Sequence, residues 1–281
     1  TPDVLVMTAT PIPRTLSLTV YGDLNVSVID ELPPGRQEIN TKWVKDKDRD
    51  KLYEQVKTEI KKGRQTYIVY PLVEESEKSD LAAAVDAHKE LDEKFFPDLN
   101  VGLIHGRMKA GEKDNIMDRF SKNEISILVS TTVVEVGVDI PNATVMVVEH
   151  ADRFGLTQLH QLRGRVGRGA EKSYCVLVKR NVTDTSRTRL SIMEETHDGF
   201  VIADEDLKLR GPGQFFGIKQ SGFFKFKIAN MVTDGPIIHM ARKLAFEIVE
   251  RDPNLKNESN KMIREMFILD YSDRLEDISL S

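Results

Sequence analysis

The sequence predicts an α/β protein: a mostly parallel sheet with helices on both faces, followed by a small, mainly helical region. Three observations predict it. Between residues 39 and 178, short apolar runs alternate with amphipathic stretches of helical period, the pattern of strand–helix–strand units with a sheet buried on both faces. Beyond residue 181 the alternation stops and helical periods remain. The 281 residues are enough for about two domains.

The elements follow in order. Val4-Leu5-Val6-Met7 reads as a buried-type strand, and with only Thr1-Pro2-Asp3 before it the sequence reads as a piece of something longer. Consecutive prolines and a glycine in Glu31-Leu32-Pro33-Pro34-Gly35-Arg36 stop regular structure and predict a linker. Residues 39–44 are strand-like, and 48–62 form an amphipathic helix ending at Gly63. Strands are expected at 65–73 and 101–105, helices at 79–95 and 110–120. Residues 126–131, 144–149 and 173–178 are further apolar strands, and Leu156-Thr157-Gln158-Leu159-His160 opens a helix before the last of them. Residues 186–196 are helical up to a break at Gly199, and 204–210 form a short helix stopped by Gly211-Pro212-Gly213. A phenylalanine-dense stretch follows (Phe215, Phe216, Phe223, Phe224, Phe226), best read as packing of a C-terminal domain. A helix at 236–251 has Asp234 near its start and Asp252-Pro253 as its stop. The last helix, 259–269, carries Met262, Ile263, Met266 and Phe267 on one side.

A net charge of −5 gives no overall attraction to nucleic acid, so any DNA contact must be made by local basic positions. The single cysteine, Cys175, lies in an apolar run and forms no internal disulfide, which fits a reducing cytoplasm. No apolar run is long enough to span a membrane, and the histidines make no metal constellation.

The stretch richest in chemistry is Gln161-Leu162-Arg163-Gly164-Arg165-Val166-Gly167-Arg168-Gly169. At helical spacing Gln161, Arg165 and Arg168 fall at i, i+4 and i+7 and form one stripe. Leu159, Leu162 and Val166 bury another face. Two guanidinium groups on a packed helix, with glycines that admit a close neighbour, suit a phosphate that gains charge in a transition state. The bland alternative, a solvated basic helix end, does not need two glycines within the turn. His105-Gly106-Arg107-Met108-Lys109 follows a strand and opens a helix, and N–H groups at a helix start beside Arg107 and Lys109 form a phosphate site; a surface turn with incidental charges is the alternative. In Ser130-Thr131-Thr132-Val133-Val134-Glu135-Val136-Gly137-Val138-Asp139-Ile140-Pro141, Thr131 and Thr132 end a strand as possible phosphate donors and Gly137 permits close backbone approach. Thr8-Ala9-Thr10 places two hydroxyls after a strand, able to bond carboxylates or simply to cap a helix.

In this order these stretches resemble superfamily-2 helicases: motif III at Thr8-Ala9-Thr10, motif IVa at His105-Gly106-Arg107, motif V at residues 130–141 and motif VI at 161–168. Pro11-Ile12-Pro13-Arg14-Thr15-Leu16 is more specific and resembles the RecG family and the transcription-repair coupling factor. His197-Asp198-Gly199-Phe200, Asp206-Leu207-Lys208-Leu209-Arg210-Gly211-Pro212-Gly213 and Gln220-Ser221-Gly222 look like the TRG motif those two share. Gly-Pro-Gly, where the coupling factor usually has Gly-Ala-Gly, and residues 23–36 favour the RecG family.

The resemblance implies a second RecA-like helicase lobe (the P-loop NTPase-type C-terminal domain) at residues 37–180. Residues 1–30 would be a remnant of the first lobe, 31–36 the inter-lobe linker, and 181–281 the TRG hairpin and hook with C-terminal helices. It further implies that Arg165 and Arg168 act as arginine fingers on ATP, with Gln161 ordering water or an arginine and Gly137 and Asp139 near the nucleotide. Thr8 and Thr10 would relay the nucleotide state. His105, Gly106, Arg107, Thr131 and Thr132 would touch the DNA backbone, and Arg210, Gln214 and Gln220 are the polar candidates of the TRG motif. The activity implied is ATP- and Mg²⁺-dependent movement on double-stranded DNA that remodels forks and Holliday junctions in repair and recombination. The resemblance sets no oligomeric state.

No glycine in the chain is followed by lysine, and no Asp-Glu-x-His or Asp-Glu-x-Asp box occurs. The phosphate-holding lysine and the Mg²⁺-holding carboxylate of such motors are therefore absent from this sequence. In the family they lie in the first lobe, so this chain is expected to be silent as an ATPase alone and to need the upstream wedge and first lobe as partners. The alternatives are the same half of a coupling factor, or a non-catalytic module that only holds DNA or a partner.

Overall fold

A computed structural model describes residues 36–71, 77–131, 139–180, 183–210, 228–230 and 234–278, together with residues 5, 7, 27, 29 and 31; at 77–83 and 271–278 the backbone alone is described. Residues 36–210 belong to one compact unit and 228–278 to a second.

The first unit is built on six parallel strands: β1 (Asn40–Lys45), β2 (Gln65–Val69), β3 (Val101–Ile104), β4 (Ile127–Ser130), β5 (Ala143–Val148) and β6 (Tyr174–Lys179). Their order in the sheet is β1-β6-β5-β2-β4-β3. Parallel neighbours need crossovers, and α1 (Arg49–Lys61), α2 (Glu77–Glu90), α3 (Ala110–Ser121) and α4 (Leu156–Arg163) provide them. The last turn of α2 widens into a π-type turn over Leu91–Phe95.

Every residue of β2, β4 and β5 is buried, which is why these segments read as unbroken apolar runs. Alternate side chains serve opposite faces. Tyr67, Val69, Met146 and Val148 join Met117 and Phe120 of α3 and Leu159 and Leu162 of α4. Ile68, Val145 and Val147 join Leu52, Tyr53 and Val56 of α1 and Leu91 and Phe96. A buried polar cluster ties three strand and helix ends together on the second face. Arg49 Nε donates to the Tyr53 hydroxyl at 2.8 Å and to Glu149 Oε1 at 3.3 Å, Arg49 Nη2 donates to the Tyr70 hydroxyl at 3.0 Å, and Tyr53 donates to Glu149 Oε1 at 2.7 Å.

Two further helices, α5 (Asp184–Glu195) and α6 (Gly199–Arg210), pack on this unit. Thr183 and Ser186 cap α5 reciprocally, Ser186 N–H donating to Thr183 Oγ1 at 3.1 Å and Thr183 N–H to Ser186 Oγ at 3.0 Å. The helix expected at 186–196 does end before Gly199, at Glu195, but the helix expected at 204–210 is corrected, for it opens at Gly199 itself. The Asp198 carboxylate accepts the Phe200 N–H at 2.8 Å and supplies the cap that turns a helix breaker into a helix start.

In the second unit, α7 (Gly235–Arg251) matches the expected helix and has proline in its first turn. Asp252 ends it, its carboxylate accepting N–H groups of Lys256 and Asn257 and the Asn260 amide. The last helix, α8 (Lys261–Ile278), runs well past the expected end at 269.

Of residues 4–7, Leu5 and Met7 are described, both exposed and in no strand. Residues 8–26, including Thr8 and Thr10, the motif V residues 132–138, and 211–227 with Gln214 and Gln220, lie outside the described residues. Among the described residues no helix is long and apolar enough to cross a membrane, and no His/Cys/Asp/Glu group could hold a metal.

Candidate functional site

The helical stripe expected for Gln161, Arg165 and Arg168 is corrected. Helix α4 stops at Arg163, so Gln161 lies on the helix and both arginines lie on the loop beyond it. Gly167 causes the turn. It adopts φ +73°, and a Cβ there would stand 2.8 Å from Ile39 Cγ1, so neither conformation nor space admits a side chain. Gly169 is pressed by the Pro141 carbonyl, which a Cβ would meet at 2.8 Å. The two glycines let this loop run between the entry of β1 and the end of motif V.

The loop brings together three of the expected residues. Arg168 Nη1 stands 3.4 Å from Asp139 Oδ1, and its Nε donates to the Gly164 carbonyl at 3.3 Å. Burial pushes the Tyr67 hydroxyl up to about 12, against the opposing pull of Arg168 and Arg165, so both guanidinium groups act on the strand beneath the loop. Among the described residues no side chain is bonded to Arg165. Val166 is fully buried and anchors the loop between the two arginines. Gly137 lies outside the described residues.

A second cluster stands at the carboxyl ends of the neighbouring strands β3 and β4. The Thr131 N–H donates to the Ile104 carbonyl at 3.3 Å, which sets Thr131 beside His105. Both Thr131 Oγ1 and His105 Nδ1 are buried without a hydrogen-bond partner among the described residues. Burial, then Lys113 and Arg107, hold His105 below its usual value, so the ring is neutral near pH 7. Gly106 and Arg107 form the turn into α3, where Lys113 Nζ donates to the Gly106 carbonyl at 3.0 Å and Lys109 N–H to Glu112 Oε2 at 3.1 Å. This puts two unsatisfied polar atoms and a helix N-terminus under a basic rim, an arrangement suited to a backbone phosphate.

A third cluster joins the motif VI helix to α5 and α6, and its key residue was not anticipated. Arg163 is 4 % exposed. Its Nη1 donates to the carbonyls of Met193 and Thr196 at 3.1 and 2.8 Å, and its Nη2 to that of His197 at 3.4 Å. One guanidinium therefore satisfies the open carbonyls at the end of α5 from inside α4. Arg210, expected as a polar candidate, is paired through Nε with Asp206 Oδ2 at 2.9 Å, and Thr157 of α4 donates to the same oxygen at 3.2 Å. Thus α6 is fastened to the start of α4 and α5 to its end. The one signal in the sequence was an arginine next to Leu162 on the apolar side of a helix about to stop at glycine.

Known proteins resemble the chain over nearly all of it. The family description "Helicase conserved C-terminal domain" matches residues 47–170, and "ATP-dependent DNA helicase RecG, domain 3, C-terminal" matches residues 196–268. The ATP-dependent DNA helicase RecG of Synechocystis sp. is 55% identical over 94% of this chain and 32% of the relative. That of Bacillus subtilis is 53% identical over 94% of this chain and 39% of the relative. A solved structure of RecG bound to a three-way DNA junction superposes with a TM-score of 0.67 at 47% identity, covering 84% of this chain and 30% of that one. The chain spans about a third of the length of the curated relatives it matches. With both halves of the described fold matched in this way, the chain belongs to the RecG family of ATP-dependent DNA helicases.

Proposed function

We propose that this chain is the finger-bearing half of an ATP-dependent double-stranded-DNA motor that remodels branched DNA. The observation that carries the reading is the loop after α4, where Arg168 is held by a partly exposed motif V carboxylate, Asp139, beside Arg165. Two guanidinium groups on one ordered loop fit a polyphosphate, and the phosphate oxygens would take over the Arg168 head that Asp139 holds here. ATP with Mg²⁺ supplies the free energy of phosphoryl transfer. The chain has no Walker lysine of its own, so its part is to place Arg165 and Arg168 on the charge that develops, with Gln161 and Asp139 orienting them.

DNA would lie against Thr131, His105 and Arg107, whose backbone-directed contacts position and read no sequence. Movement of the finger loop reaches α5 and α6 through Arg163 and through the Asp206 pairings with Thr157 and Arg210, which makes the helical pair a rigid lever on the nucleotide-sensing helix. Fork and junction binding rests on the relatives, one of which was solved on a three-way DNA junction.

The test is fork-stimulated ATP hydrolysis by this chain alone, by its mixture with a lobe carrying the Walker motifs, and by that mixture with Arg168→Ala. Activity in the mixture alone, reduced on the order of a thousandfold or more in the variant with fork binding kept, supports the motor. Hydrolysis by this chain alone refutes the division of labour. A folded, silent mixture that still binds forks favours a non-catalytic binding module.

A further inference from the structure

Resting on the motor reading above, we infer that Arg36 and Gln37, where the chain enters the sheet, are positioning residues for the finger loop. Arg36 Nε donates to the Gly167 carbonyl at 3.2 Å, and Gln37 Nε2 donates to the Ala170 carbonyl at 2.8 Å. These carbonyls flank Arg168 on both sides. The next residues continue the same seam. Ile39, 8 % exposed, fills the space where Gly167 has no Cβ, and Asn40 N–H donates to the Ser173 carbonyl at 2.9 Å. Residues 131 and 133 positions apart in sequence are thus bonded one to one along the finger loop.

The choice of partners is what makes this seam a positioning device. Among the described residues Arg36 spends its guanidinium on a neutral backbone carbonyl and on no carboxylate. Its target is the one loop residue with a left-handed backbone, Gly167, whose carbonyl direction sets the path into Arg168. Opposite, the Pro141 carbonyl presses on Gly169 and Asp139 holds the Arg168 head. The loop is therefore clamped between motif V and the entering chain. Residues 31–36 read as the connection between two lobes, so any pull along that connection when the lobes close acts first on Arg36 and Gln37, and through two hydrogen bonds on the finger itself.

The experiment compares Arg36→Met with Gln37→Met, singly and together, and Arg36→Lys, which keeps a donor, in the full-length gene product. It reads kcat and KM for ATP at saturating fork DNA, the fork Kd, and amide hydrogen exchange at residues 164–170. The double variant is expected to lose about 10- to 100-fold in kcat, the scale of a finger misplaced by a fraction of an ångström to an ångström. KM for ATP and the fork Kd should stay within about twofold, since an interaction used only in the transition state is lost. Exchange at 167–170 should quicken, and Arg36→Lys should recover part of kcat. Unchanged kcat in the double variant overturns the proposal, as does a parallel fall of kcat, fork affinity and melting temperature. If the unmodified protein shows no fork-stimulated hydrolysis, the motor reading fails. Loop exchange in the variants then still decides whether Arg36 and Gln37 order the loop, and unchanged exchange overturns that too.

Discussion

His160, one residue before Gln161, shares the last turn of α4 with Arg163, and burial, with repulsion from Arg163 second, pushes its imidazole down to about 4. An unfolded chain holds histidine near 6.5, so between these values the unfolded state binds more protons. His160 therefore contributes stability that is fully present above about pH 6.5 and is lost as pH falls toward about 4. The melting temperature of the chain should drop over that interval, and His160→Asn should flatten the drop; an identical slope in the variant would assign it to other groups. The neighbouring arginines mark what was legible at this scale. The glycines beside Arg165 and Arg168 marked a place of close approach, yet the stripe expected there was misplaced, because the same glycines end the helix and bend the chain at Gly167. Arg163 announced nothing. Its partners are backbone carbonyls of Met193, Thr196 and His197, and a backbone carbonyl has no letter in a sequence.

Among the elements, the strands were the most legible, because a parallel strand buried on both faces must be an apolar run of β-branched and other bulky residues. Their ends were less so. The strand expected at 144–149 is Ala143–Val148, and Glu149 just beyond it keeps its N–H on the Val69 carbonyl at 2.8 Å while its side chain meets Arg49 and Tyr53. This carboxylate joins α1 to the end of β5 in a fully buried place. Glu149→Ala would strand the Arg49 guanidinium beside two tyrosines, and removing one partner of a buried pair costs about 3–5 kcal/mol. Chemical denaturation of the chain should register that loss; a change below about 1 kcal/mol would class the pair with solvated surface bridges. At α6 the sequence misled in the opposite direction. Glycine as a breaker is the sound expectation, and only the Asp198 side chain, in place, converts Gly199 into a first helical residue.

For the whole molecule, the order of the sheet has a consequence for how the protein is made. Among the described residues β1 is the first strand of the sheet to be synthesised, yet it pairs with β6 alone, the last of them. More than a hundred residues must leave the ribosome before Trp43 and Val44 find Leu177 and Val178 beside them. Closing so long a loop is slow, and an unpaired strand waits exposed to other chains. Lys42 and Lys45 on that strand are suited to keeping such company away. A chain cut after residue 169 should bind its neighbours and yield to protease at residues 36–45, whereas one cut after residue 210 should protect them; equal protection in both would show that β1 docks without β6. The loop that carries Arg165 and Arg168 is thus assembled at the seam between the first and the last strand of the sheet to be made, and a ribosome that stalls inside it leaves that loop without its β1 wall.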